Sequence, residues 1–200
     1  MTDVAPEVPI PPTGRPVPDR RRELVLAAYQ RIASQGFEGL RTRDVARDAG
    51  VNIATLHYYF PTKEALIRGV VRHAQQQFAG TLPRDGSAQE QLRAHLSALA
   101  DLVKTNRELF SVLAELSLRA PRDEAIADIM RSTDAVWQAA LVRLLESGRA
   151  QGCFDADIDA EGVASLLIAA IKGVSLPTMA GSDAAKVDQV FGQLQRLLGL

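Results

Sequence analysis

The stretch AGVNIATLHYYFPTKEAL, residues 49–66, concentrates side chains that can donate hydrogen bonds to anionic oxygens. His57, Tyr58 and Tyr59 stand in a row, and Lys63 follows four residues later. Imidazole, phenol and ammonium groups all donate to phosphate or carboxylate oxygens. The chain has only three tyrosines, so two adjacent ones beside a histidine and a lysine indicate a site that holds an anion.

A short helix must present these side chains. Asn52 is a favourable N-cap and Pro61 cannot continue a helix, so the pattern predicts a helix over about 53–59. At 100° per residue, Leu56 and Phe60 fall on one side of this helix. We expect these two side chains to be buried and to fasten the helix to a core.

The opposite face is small at its start, where Ala54 and Thr55 lie, and large at its end, where Tyr58 lies; His57 and Tyr59 fall at the borders. Such a helix can enter the DNA major groove, about 12 Å wide, with small residues near base edges and larger donors near phosphates. Aromatic clusters at helical spacing are more often core. A helix of about seven residues cannot bury its whole circumference, however, so Tyr58 and one of its aromatic neighbours must face outward.

The elements around this helix predict a helix-turn-helix. Asp19 is the predicted N-cap of a first helix, which ends at Gly36. Thr42 is the predicted N-cap of a short helix that ends at Gly50, and Thr62 is the predicted N-cap of a longer helix. Two short helices separated by a turn that contains glycine are typical of this motif.

The rest of the chain is helical by its periodicity, with no alternating strand pattern. Ser87 with Glu90, and Thr105 with Glu108, form capping-box patterns that predict two helix starts. Three longer helices are predicted over 122–151, 159–176 and 183–198. The fold class is therefore all-α, with a three-helix N-terminal module, a larger helical domain and about nine helices in total.

The composition is that of an ordinary globular protein, 46% hydrophobic and 24% charged, with a net charge of −1. Residues 1–80 carry 11 Lys and Arg against 8 Asp and Glu, and residues 81–200 carry 12 against 16, so only the N-terminal part favours a polyanion. A single cysteine and no run of about 18 apolar residues predict a reducing cytoplasm and no membrane partner.

No motif in the sequence indicates enzyme catalysis. The sequence holds no nucleophile elbow, no phosphate-cradling glycine loop and no HExxH motif. The histidines at 57, 73 and 95 lack metal-pair spacing, so we expect no enzyme activity, no metal site and no cofactor. An alternative to DNA binding is a helical protein-interaction module whose helix-turn-helix no longer binds DNA.

The N-terminal motif resembles the TetR (tetracycline-repressor-like) family of transcriptional regulators, closely so over about residues 20–71. The residues that carry this resemblance are Thr42, Val45, Ala46, Ala49, Gly50, Val51, Asn52, Thr55, Leu56, Tyr58, Phe60, Thr62, Lys63 and Leu66. Beyond them it depends on helix count and length and on the LLESGRAQGCFDADID junction. The resemblance implies a homodimeric repressor that binds a near-palindromic double-stranded DNA operator and is released by an unidentified small-molecule effector.

Six prolines among the first 18 residues predict a disordered tail over 1–18. The resemblance implies the DNA-binding domain over 19–65, the ligand-binding and dimerisation domain over 66–200, and the DNA contacts. Bases would face Ile53, Ala54 and Thr55; Thr42, His57, Tyr58, Tyr59 and Lys63 would hold the backbone, with Arg43 at the groove edge. Position 57 is commonly tyrosine in the family, and Ile53, where members often carry a polar residue, either reads a thymine methyl or packs. The arginines at 15, 20, 21 and 22 are either a minor-groove arm or a solvated tail.

Broad apolar stripes on the last two helices are where the resemblance places the dimer interface. Its predicted residues are Val163, Leu166, Leu167, Ala170, Ile171, Val174, Val187, Val190, Phe191 and Leu194. Burial of both stripes within one subunit is the alternative. Candidate effector contacts, each of which could instead be plain core, are His95, Phe110, Leu113, Glu115, Trp137 and Leu141.

Overall fold

A computed structural model describes residues 19–176 and 183–200, and within these ranges the chain is helical and has no strand. Nine α-helices are present there: α1 (Arg20–Gln35), α2 (Thr42–Asp48), α3 (Ile53–Tyr59), α4 (Lys63–Gln77), α5 (Ala88–Thr105), α6 (Arg107–Arg119), α7 (Glu124–Ala150), α8 (Ala160–Ser175) and α9 (Ala184–Leu197). Short 3-10 helices cover Phe37–Gly39 and Ala120–Arg122. The all-α prediction is confirmed, whereas the tail predicted over 1–18 lies outside the described residues.

Side-chain caps begin most helices where the sequence predicts them. Asp19, Asn52 and Thr62 each accept a hydrogen bond from the backbone N–H three residues further on. Ser87 and Glu90 form the predicted capping box at the start of α5. These bonds satisfy amide groups that have no partner within the first turn of a helix.

Two predicted caps are wrong. Thr42 is the first residue of α2, and Arg41 is the N-cap without a side-chain bond. At the α5–α6 junction Asn106 is the cap, because its Oδ1 accepts from the backbone N–H of Leu109. Thr105 still belongs to α5, where its hydroxyl donates to a carbonyl of that helix. Asn106 is the single residue between the two helices, and its side chain takes the place of the predicted Thr105 cap.

The first four helices share one core, and α3 is fixed to it by the two side chains predicted for that purpose. Leu56 is 1% exposed and Phe60 is fully buried. Gly69 of α4 lies against this core, since a Cβ there would stand 2.9 Å from Val25 Cγ2 and 3.3 Å from the Phe60 ring. The absence of a side chain at position 69 therefore allows α4 to approach α1 and the end of α3.

The N-terminal helices pack directly on the C-terminal part. Helix α1 contacts α6 as well as α2 and α4, and α4 runs on to contact α6 and α7. The long α7 lies against α5, α6 and α8, and α9 packs on α5 and α8. Helix α4 crosses the predicted domain boundary at residue 65, so one continuous helix joins the two predicted domains. In the ranges given above, no helix combines the length and the apolar character that a membrane span needs.

Candidate functional site

Helix α3 presents a polar and aromatic face to solvent. Tyr58 is 80% exposed, His57 and Ala54 are exposed, and Ile53 is 37% exposed. Thr55 is half-buried, and Asn52 Oδ1 accepts hydrogen bonds from its backbone N–H, at 2.8 Å, and from its hydroxyl, at 3.0 Å. The start of the helix is therefore small and rigid, and its end is bulky.

Tyr59 supports Tyr58 from the side. Tyr59 is half-buried and packs against the core, and the two rings meet edge to face with centroids 5.2 Å apart. Edge-to-face contact is a favourable geometry for aromatic pairs. The exposed phenol of Tyr58 thus stands on a partly fixed base.

Lys63 lies beside α3 at the start of α4. Its ammonium Nζ stands 4.4 Å above the ring of Phe37, in cation–π geometry, and its side chain is half-buried. On α2, Thr42 is half-buried and Arg43 is exposed. These side chains and the exposed face of α3 are distributed over three neighbouring helices of the predicted DNA-binding module.

Arg20, Arg21 and Arg22 belong to the first turn of α1, so the prediction of an arm or tail is wrong for these three; Arg15 lies outside the described residues. The Arg21 guanidinium stacks 4.9 Å from the centroid of the Phe60 ring. This position places a cation next to the C-terminal end of α3, a neighbour that sequence reasoning missed. The N-cap at Asp19 was the available signal, because a capped helix at residue 20 cannot also be a flexible arm.

Helix α2 is tied to α1 by ion pairs. Arg31 Nε lies 2.6 Å from a carboxylate oxygen of Asp48 and also reaches Asp44. The hydrogen bond from Arg31 holds the pKa of the Asp48 carboxyl below its usual range. These contacts orient α2, which in turn sets the direction of α3.

A cavity of about 740 Å³ lies between α4, α5, α6, α7 and α8. Aromatic and aliphatic side chains form most of its wall, including Phe78, Leu82, Phe110, Leu113, Met130, Trp137 and Ile171. A volume of this size suits a drug-sized organic ligand. The exposed side chains of Leu118 and Val136 are also part of the lining.

Four of the six predicted effector contacts line this cavity: His95, Phe110, Leu113 and Trp137. Leu141 does not, because it is 1% exposed within the protein core. Glu115 does not either. Its Oε2 accepts a hydrogen bond of 3.0 Å from the backbone N–H of Phe37.

His95 and Trp137 form a hydrogen-bonded pair in the cavity wall. The indole Nε1 donates to His95 Nε2 over 3.2 Å, which assigns the imidazole proton to Nδ1 in the neutral form. Burial lowers the pKa of His95 to about 4, and a hydrogen bond with the Thr81 backbone opposes this shift more weakly. His95 is therefore neutral near pH 7, and its Nδ1 is buried.

Sequence reasoning missed an ion pair at the cavity rim. Lys172 Nζ of α8 donates to Asp134 Oδ2 of α7, and both residues line the cavity. The two positions are 38 residues apart, and neither belongs to a motif. No signal in the sequence could pair them, because their meeting depends on how α7 and α8 pack.

The predicted dimer residues divide into two groups. Six lie within the core of this chain, at 7% exposure or less, and so offer no surface to a partner: Leu167, Ile171, Val174, Val187, Phe191 and Leu194. Four remain at the surface of α8 and α9, where Leu166 is 58% exposed and Val163, Ala170 and Val190 are half-buried. One apolar stripe of α8 therefore faces inward, and the other faces out.

In the part of the chain that the structure describes, no cluster of histidine, cysteine, aspartate and glutamate is arranged to hold a metal ion. Cys153 is a half-buried free thiol.

Comparison with known proteins identifies both halves of the chain. A family model described as bacterial regulatory proteins, tetR family, matches residues 24–70, and a model described as BetI-type transcriptional repressor, C-terminal, matches residues 88–199. The HTH-type nicotine-responsive transcriptional repressor HdnoR of Paenarthrobacter nicotinovorans is 27% identical over 162 residues, covering 79% of this chain and 82% of that protein.

Solved structures show the same fold. A TetR transcription regulator from Haloarcula marismortui superimposes with a TM-score of 0.80 at 23% identity, covering 90% of this chain and 97% of that one. A transcriptional regulator from Saccharomonospora viridis in complex with choline superimposes with a TM-score of 0.70 at 25% identity, covering 88% and 94%.

The buried His95 predicts a specific loss of stability in acid. The unfolded chain takes up a proton as pH falls through the ordinary value of 6.5, whereas the folded protein does so only near pH 4. The contribution of His95 to the free energy of unfolding is therefore complete above about pH 6.5 and falls by about 2 kcal/mol between about pH 7.5 and pH 5. Urea unfolding at the two pH values should show a smaller drop for His95→Leu than for the unaltered protein. The exposed His57→Gln is the matched control, and equal drops in all three proteins would contradict the prediction.

Proposed function

Because the chain belongs to the TetR family, it is a DNA-binding transcriptional regulator, and we propose that it is a repressor that a small molecule releases from its operator. The repressor is a homodimer, and each subunit reads one half of a near-palindromic site. The observation that carries this proposal is the exposed face of α3, which has small residues at its start and Tyr58, 80% exposed, at its end.

Helix α3 enters the major groove with its N-terminal end towards the bases. Ile53, Ala54 and Thr55 occupy that end, and the side chain of Ile53 is 37% exposed. An exposed aliphatic side chain in this position suits contact with a thymine methyl group. Thr55 retains acceptor capacity, because its hydroxyl donates to Asn52.

Side chains at the C-terminal end of α3, and at the starts of α2 and α4, hold the DNA backbone. Tyr58 and His57 project from the exposed side of α3, and Tyr59 stands beside them. Lys63 lies at the start of α4, where free amides and the helix dipole favour a phosphate. Thr42 and Arg43, at the start of α2, supply the contacts on the other side of the groove.

Selection of bound sequences from a random DNA pool tests the proposal directly. We expect a near-palindromic consensus, and retardation of that DNA in a gel should weaken steeply as salt rises. An asymmetric consensus would contradict reading by two symmetric subunits. If no DNA is retained, the helical protein-interaction module becomes the better interpretation.

Substitutions separate backbone contacts from base contacts. Tyr58→Ala and Lys63→Ala should weaken binding to all sequences alike, by about fivefold or more, and Lys63→Ala should reduce the salt slope by about one. Ile53→Ala and Thr55→Val should change which sequence is preferred, by about 1–3 kcal/mol at the affected base pair. Arg143→Ala, which removes an exposed arginine of α7, is the control for lost charge and should bind normally. Unaltered affinity of Tyr58→Ala would contradict the assignment.

The dimer forms through the outer surface of α8 and α9. Leu166 and Leu197 are 58% and 67% exposed there, and Val163, Ala170 and Val190 lie half-buried in the same two helices. Exposed leucines on two adjacent helices are a surface that a second copy can bury, giving a four-helix interface about a two-fold axis.

Leu166→Arg should convert the dimer to a monomer, because the interface would bury an unpaired charge from each subunit. Sedimentation velocity measures the change, and operator affinity should fall with it. Leu118→Arg on α6 is the matched control, since Leu118 is 67% exposed on another helix. A Leu166→Arg protein that sediments as a dimer would place the interface elsewhere.

Effector release is supported by the cavity and by relatives. One relative is named as a nicotine-responsive repressor, and one similar structure contains choline, so related proteins respond to or hold small organic molecules. The cavity of about 740 Å³ in this chain is large enough for such a molecule.

Two helices connect the cavity with the DNA-binding face. Helix α4 begins at Lys63 and carries Gln75, which lines the cavity further along. Helix α6 turns Leu113 and Ala114 to the cavity and Glu115 to the backbone of Phe37. A ligand that binds one arrangement of these helices better than the other shifts the spacing of the two recognition helices.

The Glu115 bond is testable without a known effector, because coupling between two sites is reciprocal. Trp137 is the single tryptophan of the chain and lies in the cavity wall, so its emission should change when selected operator DNA binds. Glu115→Ala should reduce that change, whereas Glu115→Gln, which retains an acceptor, should preserve it. An undiminished response in Glu115→Ala would exclude this bond from the coupling.

A further inference from the structure

The polar side chains of the cavity wall are almost all satisfied by the protein itself. The hydroxyls of Thr81, Thr133 and Ser175 donate to nearby backbone carbonyls at 2.8, 2.9 and 3.0 Å. Gln75 Nε2 donates to the Thr133 hydroxyl at 3.3 Å. These groups have little left to offer a ligand, because their best donors are already used.

The charges of the wall are also satisfied. Among the described residues that line the cavity, Asp134 and Lys172 are the charged pair, and each neutralises the other. Their side chains are 38% and 43% exposed, so the pair stands at the rim and not in the depth of the cavity. A charged ligand would have to break this pair or remain unpaired, and either is unfavourable in a largely apolar site.

His95 offers a ligand no free donor. Its Nε2 accepts from the Trp137 indole, so the neutral imidazole carries its proton on Nδ1. This Nδ1 is buried out of reach of a molecule in the cavity, and the imidazole also hydrogen-bonds with the backbone of Thr81. Ser117 is exposed and also lines the cavity, so a hydroxyl is the main polar group that the wall can offer to a ligand.

We propose that the effector is an uncharged, largely apolar molecule. This inference rests on the proposed effector role of the cavity and names its ligand class. It separates this chain from the choline-bound relative, since choline is a permanent cation. The aromatic rings of Phe78, Phe110 and Trp137 then serve as apolar wall and not as a cage for a cation.

Three probes of equal chain length test the ligand charge: 1-decanol below its aqueous solubility, and decanoate and decyltrimethylammonium well below their micelle concentrations. Quenching or enhancement of Trp137 emission reports binding in the cavity without DNA. We expect decanol to bind at least about tenfold more tightly than either ion, because only the ions must be desolvated without a partner. Tighter binding of the cation or of the anion, or no binding of decanol, would overturn the inference. Ala140→Phe, which fills part of the cavity, should abolish the signal and thereby assign it to this site.

Variants of the rim pair sharpen the test. Lys172→Gln leaves the Asp134 carboxylate unpaired and should improve decyltrimethylammonium binding relative to decanol by about fivefold. Asp134→Asn leaves the Lys172 ammonium unpaired and should favour decanoate to a similar degree. Unchanged preferences in both variants would show that the pair does not set ligand charge and would overturn this part of the argument.

A wrong ligand class can be distinguished from a wrong proposed function. If decanol binds preferentially but selected operator DNA is held equally well with and without it, the ligand class stands and the release mechanism is wrong.

Discussion

Burial of two side chains, Leu56 and Phe60, is the interaction on which the DNA-facing part of the molecule depends. Helix α3 has seven residues and would not be stable alone in water. The two side chains contribute about 2–3 kcal/mol each by leaving water, and they also fix the rotation of the helix about its axis. With Leu56 and Phe60 turned inward, helical geometry directs Tyr58 outward and leaves Tyr59 at the border. The orientation of the proposed DNA contacts is therefore a consequence of core packing.

Phe37 connects this arrangement with the C-terminal part. Its ring lies 4.4 Å below the ammonium of Lys63 and 5.2 Å from the guanidinium carbon of Arg119, and its backbone N–H is held by Glu115. Gly36 makes the close approach of Glu115 feasible, because its φ of +69° suits glycine and a Cβ there would stand 3.1 Å from the carboxylate. One short 3-10 turn thus contacts both the helix that lines the cavity and the lysine proposed to hold DNA. A movement of α6 would therefore reach the DNA-binding face through the contact of Glu115 with Phe37 and the contact of Phe37 with Lys63.

The wall of the cavity offers few free hydrogen-bonding groups. Most of its hydroxyls bond to the protein backbone, and its charges form a pair, so the proposed ligand would be held mainly by apolar contact and shape. Burial of His95 keeps its imidazole neutral near pH 7. A protonated imidazole could not accept the Trp137 indole N–H. The hydrogen-bond arrangement of the wall and the protonation state of His95 therefore depend on each other.

Local signals in the sequence determined the helices and the chemistry of α3. Caps such as Asp19, Asn52 and Ser87 act within one turn, and the apolar period of a helix needs no knowledge of its neighbours. The junction at Thr105 and Asn106 escaped prediction because both residues are competent caps and only the path of the chain chooses between them.

Tertiary structure alone decided what covers each apolar face. Periodicity shows that both stripes of α8 are apolar, but Leu167 turns into the core and Leu166 turns to solvent because α7 and α9 pack on one side only. For the same reason Trp137 lines the cavity while Leu141, one turn further along α7, is core. Asp134 and Lys172 meet across 38 residues for a reason that no local pattern contains, namely the packing of two long helices against each other.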